Sequence, residues 1–359
     1  MPSQGDATSA NLPSAVERLI PAYMAKHNII GVSLAWVQPA ADTGRPHVAW
    51  QRTFGCTNAP TRAPITSDTV FQAASLSKPV FAYAVLKACT EGWLDLEIPL
   101  STYLPEPYVT GDPRLHRITA RHILSHTSGL PNWRPKGQPL AIHFSAGERF
   151  AYSGEGYVYL QRVVEHLSGQ ALDVWMHERL FAPLKLRLTS YTWLDAYETL
   201  VAHGHDAQGH PNEIARMKEP NAAYSLYTTP TEYARLLTLL LDPPDDSPTC
   251  LNADQVAHML APQVPVNNAG LDASRPRSHV RTNRDVSWGL GWGVQRTPSQ
   301  AFWHWGDNGD FQAFVMGYLH DRTALVCMSN SQNGTDLWGD IFSLAFDGPQ
   351  PAIDWLKSL

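Results

Sequence analysis

The chain has 359 residues, 43% of them hydrophobic, and a formal net charge of −6. That is ample apolar material for one large core or two ordinary ones, and the acidic balance excludes nucleic acid or an anionic membrane as the main partner, since no basic stripe offsets phosphate charge. The longest apolar stretch, Ile29 to Val37, is interrupted by Ser33 and falls far short of the roughly 20 residues a spanning helix needs. Met1 to Ile20 carries no apolar run behind a basic start, so a cytoplasmic location is expected. Cys56, Cys89, Cys250 and Cys327 show no CxxC spacing, which suggests buried free thiols rather than a zinc site or a disulfide framework.

In chain order, Pro13 to His27 reads as a helix, with Val16, Leu19, Ile20 and Tyr23 at helical spacing. Ile30 to Val37 and Pro46 to Phe54 read as strands joined through Asp42-Thr43-Gly44. From about Ser75 to Pro265 the pattern is helical and loop-rich: Val80 to Thr90, Ile118 to Ser125, Gly156 to Leu167, Ala171 to Leu180 and Thr231 to Leu241, the last capped by Thr231 after Pro230. Pro265 to Arg284 reads as a long mobile loop. Trp288 to Gln295, Ala301 to Trp305, Phe311 to Leu319 and Ala324 to Ser329 read as short strands, with turn chemistry at Asp307-Asn308-Gly309-Asp310 and His320-Asp321-Arg322, and Asp336 to Phe346 as a closing helix. Helix and strands at both ends around a helical middle suggest one unit built from the two termini.

Chemistry enters at Ser75-Leu76-Ser77-Lys78, the one place where a serine precedes a lysine by three residues. On a helix this spacing puts both side chains on one face, with the amine in reach of the hydroxyl. A serine hydroxyl needs a base to attack a carbonyl. For Lys78 to serve, its reference pKa of about 10.4 must fall by about 3 units, roughly 4 kcal/mol, which desolvation rather than a helix terminus must supply. Two further segments stand out: Tyr152-Ser153-Gly154, presented by a Gly-rich turn, and His304-Trp305-Gly306 at a strand end.

Taken together, the chain resembles the serine β-lactamase-related superfamily of class C β-lactamases, penicillin-binding DD-peptidases, D-aminopeptidases and family VIII carboxylesterases, over about residues 15 to 345. Phe71 to Lys78 matches its nucleophile motif, Leu124-Ser125-His126-Thr127-Ser128-Gly129-Leu130 a structural signature, and Gly289-Leu290-Gly291-Trp292 its Gly-Leu-Gly-Trp strand. Tyr152-Ser153-Gly154 stands in the place of Tyr-x-Asn, and His304-Trp305-Gly306 in that of Lys-Thr-Gly. The resemblance implies an α+β fold of the β-lactamase/transpeptidase-like kind: a five-stranded antiparallel sheet flanked by terminal helices, from residues 1–74 and 281–359, with a mostly helical inserted domain, 75–280, and the active site in the cleft between them. It also implies Ser75 as nucleophile, Lys78 as base, Tyr152 as proton carrier to the leaving group, and backbone N–H groups of Ser75 and Asp307 as oxyanion donors. Substrate contacts are expected at His304, Trp305, Gly306 and Gly154, with Gly306 letting the strand approach the substrate.

Departures from that pattern bear on substrate. Gly154 removes an amide contact that β-lactam-handling relatives keep, His304 replaces a permanent charge, and Trp305 adds bulk, so a neutral ester is expected first. Amide hydrolysis is the alternative, and a catalytically silent binding or sensor protein a third reading. Arg275, Arg277, Arg281 or Arg284 offers a route to carboxylate recognition. No cofactor or metal is expected: His122 and His126 lack a nearby carboxylate, and His203, His205 and His210 with Asp206 lie on a turn marked by Gly204, Gly209 and Pro211. A small-molecule ester or amide is the only partner the sequence suggests, and it leaves oligomeric state open.

Overall fold

The computed structural model describes residues 4–359 apart from 246 and 298. Helix α1 (Gln4–His27) leads into strands β1 (Gly31–Pro39) and β2 (Pro46–Gly55), which form an antiparallel hairpin. Strand β3 (Phe71–Ala74) leaves this layer and pairs with β4 (Leu226–Thr228), while β5 (Val264–Asn267), β6 (Thr282–Trp288), β7 (Gly293–Gln295), β8 (Ala301–Asp307), β9 (Gln312–Tyr318) and β10 (Thr323–Ser329) return to it. The result is an eight-stranded antiparallel sheet in the order β2-β1-β10-β9-β8-β7-β6-β5. The expected five strands are therefore exceeded. β2, β1, β10, β9 and β8 make one contiguous part, and β7, β6 and β5 extend it, β7 and β5 being short at three and four residues.

Period-2 alternation gives the sheet two buried faces. Val32, Leu34 and Trp36 of β1, with Phe314 and Met316 of β9, face a core shared with Val16 and Ile20 of α1, with Ile341 and Phe342, and with Trp355. Ala35, Val37, Ala313, Val315, Val326 and Met328 face the helical half, including Phe81 and Val85 of α2 (Ser77–Thr90) and Tyr233 and Leu237 of the helix Pro230–Leu241. Trp36, Trp288 and Trp303 are each at most 2% exposed. Each ring contributes roughly 4–6 kcal/mol by buried area, an upper bound.

Several local expectations shift for identifiable reasons. Gly289 to Trp292 is a turn rather than a strand, closed by Gly289 N–H donating to the Trp292 carbonyl at 2.8 Å with Gly291 at φ +94°. The segment Pro265 to Arg284 holds parts of β5 and β6, so it is not one long loop. Thr229, not Thr231, caps its helix, accepting from Glu232 N at 3.1 Å with Pro230 in the first turn. α3 (Ala120–Leu124) and α4 (Gly154–Ser168) sit where helical patterning placed them.

Candidate active site

Strand β3 ends at Ala74, whose φ of +50° is costly for a residue with a Cβ and turns the chain sharply into α2. Neighbouring bonds hold that turn: Ser77 Oγ donates to the Ala74 carbonyl at 2.6 Å and accepts from Leu226 N at 2.9 Å, while Tyr233 donates to the Leu76 carbonyl at 3.1 Å. Ser75 is thereby presented at the helix tip. Lys78 Nζ lies 3.0 Å from Ser75 Oγ and donates to the Ala223 carbonyl at 2.7 Å. Lys78 is 1% exposed, no carboxylate among the described residues pairs with it, and burial holds its pKa well below the ordinary lysine value. A neutral amine that spends one N–H on Ala223 keeps a lone pair for the Ser75 proton.

Tyr152 reaches the same point from the turn before α4. Its ring lies 4.7 Å from Lys78 Nζ, the phenol is buried, and burial raises its pKa while the Ser75 hydroxyl pulls it partly back. No atom meets full hydrogen-bond geometry with the phenol at rest, as befits a contact that tightens when substrate arrives. Burial thus biases both amine and phenol towards their neutral forms, the one suited to take a proton and the other to give one.

His126 holds this tyrosine in place, a role the sequence did not reveal. At φ +55° it accepts from Ala151 N through its carbonyl at 2.8 Å and from Ser153 N through Nδ1 at 3.0 Å, gripping the chain on both sides of Tyr152. The two rings lie 4.3 Å apart. With Nδ1 accepting, the imidazole proton sits on Nε2, and burial holds the ring's pKa well below the usual histidine value.

The third segment divides its tasks. His304 is fully buried behind Tyr152, ring to ring at 6.1 Å, with Nδ1–H donating to the Trp305 carbonyl at 2.7 Å, and burial drives its pKa down to about 3. It does not line the cleft. Gly306 is close to β3 instead of to open space: a Cβ there would come within 2.3 Å of the Ala73 carbonyl oxygen. Ser75, Tyr152, Trp305 and Asp307 do come together, lining a cleft of about 420 Å³ with Asn132, Trp133, Tyr224, Leu271 and Asn308. Gly154 lies behind this wall; a Cβ on it would stand 2.6 Å from Trp133 Cζ2, so the glycine lets the Trp133 indole occupy the space a side chain at 154 would take.

The remaining candidates resolve as structure. Arg275 donates to the Asn268 carbonyl at 2.7 Å, Arg277 turns to Glu148 at 3.8 Å, and none of the four arginines lines the cleft. His122 closes a capping box with Thr119, pointing its role away from His126. His205 uses both nitrogens internally, Nδ1 with the Asn330 carbonyl at 2.9 Å and Nε2 with Ala59 N at 3.1 Å. Among the described residues no three His, Cys, Asp or Glu side chains are grouped to hold a metal, and no helix is long and apolar enough to cross a membrane.

Similarity to known proteins extends over most of the chain. The family model described as Beta-lactamase matches residues 16–346. The chain is 23% identical over 341 residues to penicillin-binding protein 4* of Bacillus subtilis, covering 87% of this chain and 70% of that protein. It is 29% identical over 194 residues to esterase EstB of Burkholderia gladioli, covering 46% of this chain and 49% of the esterase. Among solved structures, a β-lactamase/D-alanine carboxypeptidase from Pseudomonas syringae superposes with a TM-score of 0.75 at 18% identity, over 95% of this chain and 99% of that one. The octameric penicillin-binding protein homologue from Pyrococcus abyssi superposes with a TM-score of 0.72 at 20% identity, over 89% of this chain and 74% of that one.

Proposed function

The chain belongs to the Beta-lactamase family and is a serine hydrolase of that family, and from that premise we propose that it is a carboxylesterase acting on small acyl esters through an acyl-enzyme at Ser75. The observation that carries this reading is the 3.0 Å approach of a buried, uncompensated Lys78 amine to the Ser75 hydroxyl.

Lys78 takes the Ser75 proton as Oγ bonds to the ester carbonyl carbon, and the oxyanion is held by the backbone N–H groups of Ser75 and Asp307, both lining the cleft. Losing one such donor typically costs about 10²–10³ in rate. The proton then passes by way of Tyr152 to the departing alkoxide as the C–O bond breaks. Water then attacks the acyl carbon of the resulting ester, giving up one proton to the Lys78–Tyr152 pair, which passes it to Ser75 Oγ as the acyl–Oγ bond breaks and the acid leaves. Because amine and phenol exchange one proton, their titration belongs to the pair.

Ester over lactam is favoured by the cleft wall. Trp133 occupies the space an asparagine side chain at position 154 would take, and among the described residues no arginine or lysine lines the cleft to anchor a carboxylate. Amide hydrolysis is the second reading, favoured by the longer match to a penicillin-binding protein than to the esterase. Parallel assays on p-nitrophenyl acetate and butyrate, nitrocefin and a D-alanyl anilide separate the two. Turnover of the acyl esters with little or none of the lactam and anilide is expected; the reverse order would replace esterase with amidase.

A further inference from the structure

Among the described residues, Asp307 is the one acidic or basic side chain at the cleft lining, and its carboxylate takes part in no ion pair. Asp307 Oδ1 accepts from Gly309 N at 2.7 Å and Gln312 Nε2 at 2.9 Å, while no cationic side chain among the described residues forms an ion pair with it. Neutral donors hold the group in position without cancelling its charge.

The same lining carries a corner of aromatic faces. Trp133 and Tyr224 meet edge to face at 5.7 Å, and Trp305 adds a third ring to the same lining. Trp133 is 44% exposed, an unusual degree for so large an apolar side chain, yet its backbone is firmly anchored. On one side Asn132 accepts from Gly154 N and Glu155 N through its carbonyl at 3.1 and 3.0 Å. On the other, Arg134 makes a two-pronged ion pair with Glu155, Nε to Oε1 and Nη2 to Oε2 both at 2.8 Å. Glu155 is buried and also accepts from Tyr108 at 3.0 Å, so the platform is tied to the first turn of α4. The loop that carries the indole is thus anchored on both sides, the indole itself stands partly in water at the same cleft lining as the Asp307 carboxylate, and Gly154 supplies the room it needs.

Aromatic faces and a carboxylate are together the chemistry that recognises an ammonium group, the faces through their quadrupoles and the carboxylate through its charge. We infer that the cleft selects esters with a cationic arm, a quaternary or primary ammonium seated between the Trp133–Tyr224 corner and Asp307. The formal charge of −6 on the whole chain favours the approach of such a substrate. This rests on the ester reading above and names the substrate class for it.

The test compares esters that differ only in charge. Acetylcholine is paired with its carbon isostere 3,3-dimethylbutyl acetate, and p-nitrophenyl 4-(trimethylammonio)butyrate with p-nitrophenyl 5,5-dimethylhexanoate, so that either arm can carry the cation. In at least one pair the charged ester is expected to have kcat/KM about tenfold above its isostere at low salt, the size of one partly desolvated cation–π contact with a nearby carboxylate. That ratio should fall towards one in Asp307→Asn and in Trp133→Ala, whatever their absolute rates, and the Asp307 part should shrink with added salt. Isosteres hydrolysed as well as or better than the charged esters in both pairs, or a ratio untouched by both substitutions, would overturn the inference and leave the esterase reading standing. Turnover of none of the four esters would remove both.

Discussion

Replacing Gly154 by alanine tests whether Trp133 forms the cleft wall in the way described. A Cβ at this position would sit 2.6 Å from Trp133 Cζ2, 2.7 Å from Cη2 and 2.9 Å from the Asn132 carbonyl oxygen, all closer than real Cβ contacts. The first two belong to a side chain that can rotate; the third is backbone and can shift only by moving the turn. Overpacking of this kind costs about 1–3 kcal/mol, or roughly 1–4 °C in melting temperature for a chain of this size. Because the indole makes the two closest contacts, most of that cost should vanish when Gly154→Ala is made in a Trp133→Ala background, a coupling of about 0.5–3 kcal/mol in a double-mutant cycle. Thermal melts of the four proteins give the cycle, and KM for a p-nitrophenyl ester should rise in Gly154→Ala as the displaced indole disturbs the wall. An equal loss of stability with and without the indole would refute the packing argument, since the backbone clash alone would then decide.

Other substitutions probe the proton path. Lys78→Arg and Lys78→Met should each lower kcat/KM by about 10²–10⁴, the arginine no better than the methionine because a guanidinium stays charged. In the wild type the burial-lowered Lys78 pKa predicts that kcat/KM rises with pH through that lowered value and is flat well before pH 10; a profile still climbing there would show an unperturbed amine. His126→Ala should reduce kcat about 10–100-fold with KM nearly unchanged, while His126→Asn, which keeps an acceptor for Ser153 N and tolerates the positive φ, should restore most of it. Equal losses in both variants would mean that His126 does not act by positioning Tyr152.

Buried histidine also sets an acid limit. His304 falls from 6.5 to about 3 chiefly through burial, so above pH 6.5 both folded and unfolded forms are neutral and stability is full. As pH drops below 6.5 the unfolded chain takes a proton that the folded one refuses until about 3, and this residue alone removes about 1.4 kcal/mol per pH unit across that window. Urea midpoints from pH 6.5 to 4 should therefore fall more steeply in the wild type than in His304→Gln. Parallel slopes would contradict the burial.

Much of this was legible because the chemistry sits in short, ordered segments. Ser75 with Lys78 is a local helical spacing, and Tyr152 announces itself by the turn around it. The sheet was legible through alternation in the long strands, as in Val32, Leu34 and Trp36 against Ala35 and Val37. Short strands such as β7, three residues long, carry too little period to separate from turns, which is why Gly289 to Trp292 reads as strand and folds as turn. The role of His126 was hidden because its partners, Ala151 and Ser153, lie some 25 residues away and are joined by backbone groups that no side-chain pattern marks. Trp133 had a signal, a lone tryptophan in a polar Asn-Trp-Arg loop, but its meaning depends on Gly154, across a gap only the fold closes. His304 looked like a cleft residue by position in its motif; the strand's alternation turns it inward and leaves Trp305 and Asp307 on the cleft.

The most direct measurement is a quenched reaction with a slowly hydrolysed p-nitrophenyl ester, followed by intact-mass and peptide-level mass spectrometry. One acyl group on the peptide that contains Ser75, absent in Ser75→Ala and slow to form in Lys78→Met, is the predicted result. Turnover of the ester by Ser75→Ala at the wild-type rate, or an acyl group carried on a different side chain, would contradict the account.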